Sequence, residues 1–236
     1  MKQLTLMSII VCFLFACKKE ADIKRKMLNT EAFHEIELND AFDVFLTEGN
    51  AYSVEIVGDE KIIEHVEAKV RDSILRIEND RKVKWRTPTN NKIELYITAP
   101  ALEKVSATEG CDIRTMNAIT THDFGLILSG KANEATLELG GNTFFYWNNF
   151  PTGGKLTLFG EIEELKLWNV ALMSIDAKNL TTSYALVENS SKGDCEINVL
   201  DRLDYSIRGE GNIQLYGQPA EINANELSSS GRLIQH

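Results

Sequence analysis

The chain has 236 residues, and its 25 Lys and Arg against 35 Asp and Glu give a formal net charge of −10 at pH 7. A chain this acidic is repelled by phosphate backbones, so nucleic acid is excluded as a partner. The apolar content of 43% is ordinary for a globular protein, and the length allows one sizeable domain or two small ones.

The first 16 residues have the pattern of a secretory signal peptide. One lysine precedes a mostly apolar run that ends at Ala16, and this run is too short to span a bilayer, which needs roughly 20 apolar residues. Leu14–Cys17 resembles a lipobox, the tetrapeptide at which lipoprotein signal peptidase cleaves, although Phe15 stands where a small residue is usual. We therefore predict a signal peptide at residues 1–16 and lipid on Cys17. The alternative is an ordinary secretory signal with an incidental cysteine.

Residues 17–31 are predicted to be a lipid-anchored tether. The stretch from Lys18 to Thr30 is polar, rich in Lys and Arg and poor in large apolar residues, which is typical of a flexible linker. A diacylglyceryl group with an amide-linked chain would supply the two anchors that stable attachment needs. Because no later apolar run has spanning length, the lipid is the predicted membrane contact, and the predicted location is the cell envelope, at the outer membrane, facing the periplasm or the surface.

Residues 32–100 are predicted to form an N-terminal section of short β-strands. Apolar residues alternate with polar ones in Phe33–Leu38 and Tyr52–Val57, with turn residues between such runs, and this is the signal of an all-β fold. One helical turn is expected at Asp59–Val66, whose apolar side chains share a face and whose first residue could act as the N-cap.

Residues 101–236 are predicted to form a repeat region. Six segments combine a small or polar turn with a short alternating strand, at spacings of about 18 to 30 residues that fit one solenoid coil each. Each unit is too small to bury its own apolar face, so neighbouring coils must stack. An antiparallel β-sandwich remains the alternative because the period is irregular. The side chains predicted to share the core are Ile113, Leu137, Leu165, Cys195 or Ile197, and Ile213.

Two parts of the chain carry a resemblance to a known family. The run Gly209–Pro219 and the opening strands around Asp43–Gly49 resemble the putative auto-transporter adhesin head GIN domain, over roughly residues 32 to 236. The resemblance implies an all-β, right-handed parallel β-helix preceded by an antiparallel β section, in envelope proteins common among Bacteroidetes. It bears on fold and location more than on function, because one fold can serve many functions.

The densest aromatic run, Phe144–Trp147, supplies the candidate ligand-binding residues Tyr146 and Trp147. Alternation along a strand would point two of the four side chains inward and two outward. Outward aromatic rings can stack on sugar rings, whereas ordinary packing would explain the same residues. A glycan or another envelope protein is the partner considered.

A polar residue precedes the strand in several repeats and could form a ladder that binds calcium or a sugar. The simpler interpretation is that Asp and Asn bond the backbone at the corners. No calcium-loop motif is present, and no metal or cofactor is predicted. The residues of this ladder are Asp112, Asn133, Asp194 and Asn212.

Two cysteines remain after the predicted processing, Cys111 and Cys195, and we expect them to be buried free thiols; a disulfide between them is the alternative. The sequence contains no nucleophile elbow, metal motif or phosphate loop. We therefore predict a binding, adhesion or scaffold module rather than an enzyme. The alternatives are a carbohydrate-active enzyme built on a β-helix and a structural partner in an envelope complex.

Overall fold

The computed structural model describes residues 22–28, 30–82, 92–149 and 151–236. The predicted signal peptide and Cys17 lie outside these residues. Within the described ranges, no helix is long and apolar enough to cross a membrane. In chain order the elements are β1 Ile23–Leu28, β2 Glu35–Leu38, β3 Asp43–Glu48, β4 Ser53–Asp59, α1 Glu60–Ile63, β5 Val66–Arg71, β6 Ile74–Asn79, β7 Glu94–Ala99, β8 Lys104–Ala107, β9 Asp112–Thr115, β10 Asp123–Leu128, β11 Asn133–Leu139, β12 Thr143–Asn148, β13 Gly153–Ser191, β14 Cys195–Ile207, β15 Ile213–Tyr216, β16 Glu221–Leu227 and β17 Leu233–Gln235.

The strands after residue 100 form two ladders of parallel pairs around one core, in a solenoid of about six turns. The first ladder, here called sheet A, runs through β9, β11, β13, β14, β15 and β17. The second, sheet B, runs through β8, β10, β12, β13, β14 and β16. The long strand β13 passes through each sheet twice, and β14 passes through each sheet once. The predicted parallel β-helix is confirmed, and the antiparallel sandwich is wrong because every pair between these strands is parallel.

A glycine at a corner allows the chain to turn from one sheet into the other. Gly160 lies in β13 between its sheet A and sheet B portions and has φ +114°, a region that L residues with a Cβ seldom occupy. A Cβ there would also lie 2.1 Å from the carbonyl oxygen of Leu139 in the preceding coil. Glycine at this corner therefore lets successive coils approach closely.

All the side chains predicted for the core are buried, with none of their surface exposed. They do not form a single column, however. Cys195 lies beside Ile213 in register, whereas the partner of Ile113 is Ala135 and not Leu137. Leu165 belongs to sheet B, where it pairs with Phe144. One core is shared by both sheets, so the side chains meet across it as well as along it.

The N-terminal section joins antiparallel pairs to the parallel ladders. Strands β1, β4 and β7 pair antiparallel, as do β5 and β6, as predicted for an antiparallel β section. Strands β2 and β3 instead pair parallel with β8 and β9, so both sheets of the solenoid extend into the N-terminal section. The predicted helical turn is α1, where the Asp59 carboxylate accepts a hydrogen bond from the Lys61 amide at 3.1 Å.

The interpretation of residues 17–31 as a flexible tether is corrected for β1. Residues 23–28 pair with all of Val54–Asp59 in antiparallel register. The reason is that β4 would otherwise leave one row of backbone donors and acceptors without partners, and pairing through the main chain does not require apolar side chains. The side chains of β1 are accordingly mostly exposed.

The polar residues before the strands bond the backbone of neighbouring coils. Asn133 accepts from the Cys111 amide at 3.1 Å, Asp194 accepts from the Asn212 amide at 2.8 Å, and Asn212 accepts from the Arg232 amide at 3.0 Å. These contacts support the structural interpretation of the ladder. A second, buried series, which was not predicted, lies at another corner, where Nδ2 of Asn169 donates to Oδ1 of Asn189 at 3.2 Å.

Cys111 and Cys195 are buried free thiols, as predicted. Three further coils separate their strands in sheet A, at about 4.8 Å per coil. That separation exceeds the roughly 7 Å between Cα atoms that a disulfide can span. Burial raises the pKa of each thiol to about 12.

Candidate functional site

The aromatic run lies in β12, on sheet B, and its side chains alternate as the strand requires. Phe144 and Tyr146 point into the core and are buried, whereas Phe145 and Trp147 point outward. Trp147 is 42% exposed, which places it among the most exposed large apolar side chains of the described residues. The prediction of two inward and two outward rings is confirmed.

Tyr146 must be removed from the candidate ligand-binding residues. Its side chain is completely buried, and its hydroxyl has no hydrogen-bond partner among the described residues. Burial raises the pKa of this phenol above its usual range. A residue in the core contacts no ligand on the outer surface, so Trp147 alone of the two predicted residues is presented to solvent.

A second tryptophan, which the sequence analysis did not select, stands beside Trp147. Trp168 in β13 is its register partner on the next coil, and Ile127 in β10 is its partner on the preceding coil. The available signal was the spacing: the two tryptophans are 21 residues apart, close to one coil. We define the aromatic face as Ile127, Phe145, Trp147 and Trp168, which all lie on the outer side of sheet B.

The Phe145 ring lies close to the sheet because a glycine on the neighbouring strand leaves room for it. Gly125 is its register partner in β10, and a Cβ at Gly125 would lie 1.9 Å from Cζ of the Phe145 ring. The ring therefore occupies the space that any other residue at position 125 would fill. This cross-strand pair keeps the ring close to the sheet, and the Phe145 side chain is half-buried.

An open cleft of about 450 Å³ adjoins the aromatic face, with Phe145 as its apolar wall. Its polar lining combines three acids, a lysine, a histidine and a threonine hydroxyl. The lining residues are Glu35, Glu103, Lys104, Thr121, His122 and Asp123.

Close contacts between polar side chains set the character of the cleft. Lys104 pairs with Glu35 at 2.5 Å, and Nδ1 of His122 lies 3.1 Å from Asp123. The His122 and Asp123 side chains are 77% and 63% exposed, so water competes with the contact between them. The cleft therefore offers hydrogen-bonding groups on an open surface and not a dry, strongly polarised pocket.

The outer side of sheet A carries a row of acids instead. Glu94, Asp43, Asp112 and Glu134 are successive register partners, and cations contact two of them: Lys92 lies 2.8 Å from Asp43, and Arg114 pairs with Asp112. In the part of the chain that the structure describes, no group of three or more His, Cys, Asp and Glu is arranged to hold a metal ion.

A family model matches residues 32–219, and its description is putative auto-transporter adhesin, head GIN domain. None of the curated proteins matches the chain.

Several solved structures share the fold at low sequence identity. A putative adhesin from Bacteroides fragilis is 18% identical, with a TM-score of 0.82 over 92% of this chain and 98% of that one. A putative lipid binding protein from Parabacteroides distasonis is 12% identical, with a TM-score of 0.65 over 90% and 96% of the two chains. A putative adhesin from Parabacteroides merdae is 16% identical, with a TM-score of 0.63 over 91% and 96%.

Proposed function

This chain belongs to the putative auto-transporter adhesin head GIN domain family, and from that premise we propose that it is a lipid-anchored binding module of the cell envelope whose aromatic face holds a glycan. The proposal assigns adhesion or binding, and not catalysis, to the solenoid. It rests chiefly on one observation, the outward tryptophans of two adjacent coils.

The arrangement of the rings supports a flat, ring-shaped ligand. Trp147 and Trp168 are register partners, and adjacent strands lie about 4.8 Å apart. Phe145 is two residues from Trp147 on the same side of β12, roughly 6.6 Å along the strand. The C–H faces of a pyranose can stack on such rings, which present a broad apolar surface at little cost in side-chain entropy.

The polar surroundings suit the hydroxyl groups of the same ligand. Lys166, which is the register partner of Phe145, pairs with Glu164 at 2.6 Å, and the cleft on the other side of Phe145 adds Glu35 and Lys104. Carboxylates accept hydrogen bonds from hydroxyls, and ammonium groups donate to them. Apolar stacking surfaces combined with a few polar groups that fix orientation are typical of ligand sites.

The surroundings of the carboxylates favour binding over glycoside hydrolysis. A hydrolase needs two carboxyl groups on either side of the scissile bond, one of them kept protonated by its environment. In the cleft, Glu35 is paired with Lys104, and Asp123 is exposed and lies beside His122. Neither carboxylate is enclosed in an apolar pocket of the kind that houses a general acid, and Glu103, the third acid of the cleft, is exposed as well.

A glycan-array screen followed by titration of the chosen glycan tests the assignment. We expect binding to change tryptophan fluorescence, and Trp147→Ala and Trp168→Ala each to weaken affinity at least tenfold while leaving the melting temperature unchanged. Leu172→Ala is the matched control, because Leu172 is a 57% exposed apolar residue outside the aromatic face. The proposal would be overturned if both tryptophan variants bound the glycan with the affinity of the parent chain, or if no glycan bound on the array.

Attachment through lipid on Cys17 is the second part of the proposal, and Leu14–Cys17 supports it. Cys17→Ala should abolish incorporation of labelled palmitate and release the chain from membranes. Cys111→Ala, which removes a buried thiol, should leave both unchanged. A Cys17→Ala chain that still takes up label and sediments with membranes would contradict the anchor.

A further inference from the structure

A second cleft opens on the outer side of sheet B, on the far side of the aromatic face from the first. Its volume is about 300 Å³, and its lining residues are Glu164, Ser183, Tyr184, Asp201 and Arg202. Tyr184 supplies an aromatic wall, as Phe145 does in the cleft of about 450 Å³. The two are called the Phe145 cleft and the Tyr184 cleft below.

The two clefts follow one another along the solenoid axis. Residues on or next to β2, β8, β10 and β12, which are consecutive in sheet B, line the Phe145 cleft. The next positions in the sheet belong to β13, first over residues 164–168 and then over 184–189, and to β14. Oγ of Ser183 donates to the Glu163 carboxylate at 3.0 Å, so the second pass of β13 lies beside the first. These three positions line the Tyr184 cleft.

Register places both clefts at the same edge of the sheet. Asp123, in the Phe145 cleft, is the register partner of Thr143, and Thr143 is the partner of Glu164, in the Tyr184 cleft. From Glu35 to Arg202 the clefts extend over six strand spacings of about 4.8 Å, roughly 29 Å in all. A single pyranose is about as wide as one strand spacing. Only a chain of several sugars can therefore reach from one cleft into the other.

The Tyr184 ring is fixed by hydrogen bonds around Asp204, which is 8% exposed. The Tyr184 hydroxyl donates to one oxygen of this carboxylate at 3.0 Å, and Nε of Arg202 donates to the other at 3.0 Å. The Arg202 guanidinium also lies 5.8 Å from the centre of the Tyr184 ring. A ring that is held in place before binding loses little entropy when a sugar stacks on it.

The strong cations of both clefts already contact carboxylates. Lys104 pairs with Glu35 at 2.5 Å, and Arg202 pairs with Asp204 at 2.9 Å. An acidic glycan would meet further carboxylates, because each cleft also has an exposed acid among its lining residues. Sugar hydroxyls, in contrast, can donate hydrogen bonds to carboxylates. The exposed acids are Glu103 in the Phe145 cleft and Asp201 in the Tyr184 cleft.

We propose that the two clefts and the aromatic face form one extended site, which binds an uncharged oligosaccharide of several sugars along the solenoid axis. One end of the chain lies in the Phe145 cleft and the other in the Tyr184 cleft. Between them the chain crosses β12 and the first pass of β13, beside Trp147 and Trp168. This assignment rests on the proposed function, since it takes the ligand of the aromatic face to be a glycan.

Oligosaccharides of two and six sugars, prepared from each neutral glycan that the array identifies, test the length of the site. We expect the six-sugar chain to bind the full-length protein at least tenfold more tightly than the two-sugar fragment, because it alone reaches both clefts. Equal affinities for the two lengths would overturn the extended site while leaving glycan binding intact. An array without any bound glycan would overturn the proposed function and the extended site together.

Variants of Tyr184 test the second cleft. Tyr184→Ala should weaken binding of the six-sugar chain about tenfold and leave the two-sugar fragment unaffected, whereas Trp147→Ala should weaken both. Tyr184→Phe loses the bond to Asp204 but keeps the ring, so it should bind the six-sugar chain like the parent. Tyr216→Ala removes a half-buried tyrosine from sheet A and should also bind like the parent. Parent-like binding by Tyr184→Ala, or equal losses in Tyr184→Ala and Tyr184→Phe, would overturn the role of the ring.

Oxidation of the six-sugar chain at C6, where its sugars are hexoses, tests the charge of the ligand. The uronate form has the same length and adds only carboxylates. We expect its affinity to fall at least tenfold, and to fall less at high ionic strength, because salt screens the repulsion between exposed charges. A uronate chain that binds as tightly as the neutral one would overturn the assignment of an uncharged ligand.

Discussion

Replacing Ile213 by Asp tests whether the stacked columns carry the stability of the solenoid. Ile213 is completely buried in β15, in register with Cys195 on one side and Leu233 on the other. Losing the aliphatic side chain alone costs about 2–5 kcal/mol, as in large-to-small core substitutions. Burial that raises the new carboxyl pKa by about three units adds roughly 4 kcal/mol at neutral pH.

The sum, about 6–9 kcal/mol, is comparable to the whole stability of an ordinary domain, about 5–15 kcal/mol. A solenoid can instead unfold in part, at a lower cost in free energy, because each coil contacts only its neighbours. We therefore expect β15, β16 and β17 to detach while the earlier coils stay folded. Native-state hydrogen exchange should show lost protection confined to these three strands, and thermal melts should show a lower first transition.

The control is Gln214→Lys, one residue away on the outer side. Gln214 donates to the Asp194 carboxylate at 2.8 Å and is the register partner of Glu196, so lysine suits this position whereas aspartate would add a third acid. The buried carboxyl of Ile213→Asp has a raised pKa, so the charge penalty should vanish as pH falls towards about 3.9, the unfolded value. If Ile213→Asp has the melting temperature and the hydrogen exchange of Gln214→Lys at neutral pH, the stacked side chains around Ile213 do not contribute the stability assigned to them.

Three further predictions concern other parts of the molecule. Gly125→Ala should displace the Phe145 ring and weaken glycan binding several-fold. Gly140→Ala should leave binding unchanged, because a Cβ at Gly140 would meet only ordinary contacts at 3.5 and 3.8 Å. Equal glycan affinities of the two variants would refute the role of the ring. Hydrogen bonds from Arg202, Asn223 and Tyr184 to Asp204 lower the pKa of that carboxyl. Its contribution to stability should therefore be complete above about pH 5, one unit above the unfolded pKa of about 3.9, and be lost as pH falls through the lowered value. Asp204→Asn should destabilise the chain at pH 7 by an amount that shrinks in acid melts, and melting curves that stay parallel to those of the parent at every pH would contradict this. Because burial raises the thiol pKa values of Cys111 and Cys195 to about 12, neither thiol should react with a disulfide reagent at pH 8 until denaturant is added, and rapid labelling of the native chain would count against their burial.

Local features of the fold were predictable because they depend on neighbours in sequence. Alternation along Phe144–Trp147 determines that two rings point inward and two outward, since successive side chains of a strand lie on opposite faces. The N-cap at Asp59 depends on a backbone amide two residues later. Asn133 likewise donates to the carbonyl oxygen of Gly130, three residues earlier, at 2.7 Å, as expected from the tendency of Asn to bond nearby backbone. In each case the physical cause is contained in a few residues.

Tertiary structure decided what lies beside what. Trp147 meets Trp168 only because the intervening corner returns the chain in that register, and a shift of one residue would have turned Trp168 into the core. The pairing of β1 with β4, which replaced an expected tether, depends on backbone groups some 30 residues away. Tyr146 was misassigned because its hydroxyl, a polar group, is buried without a partner. Such contacts depend on register across coils, which apolar periodicity within one strand does not specify.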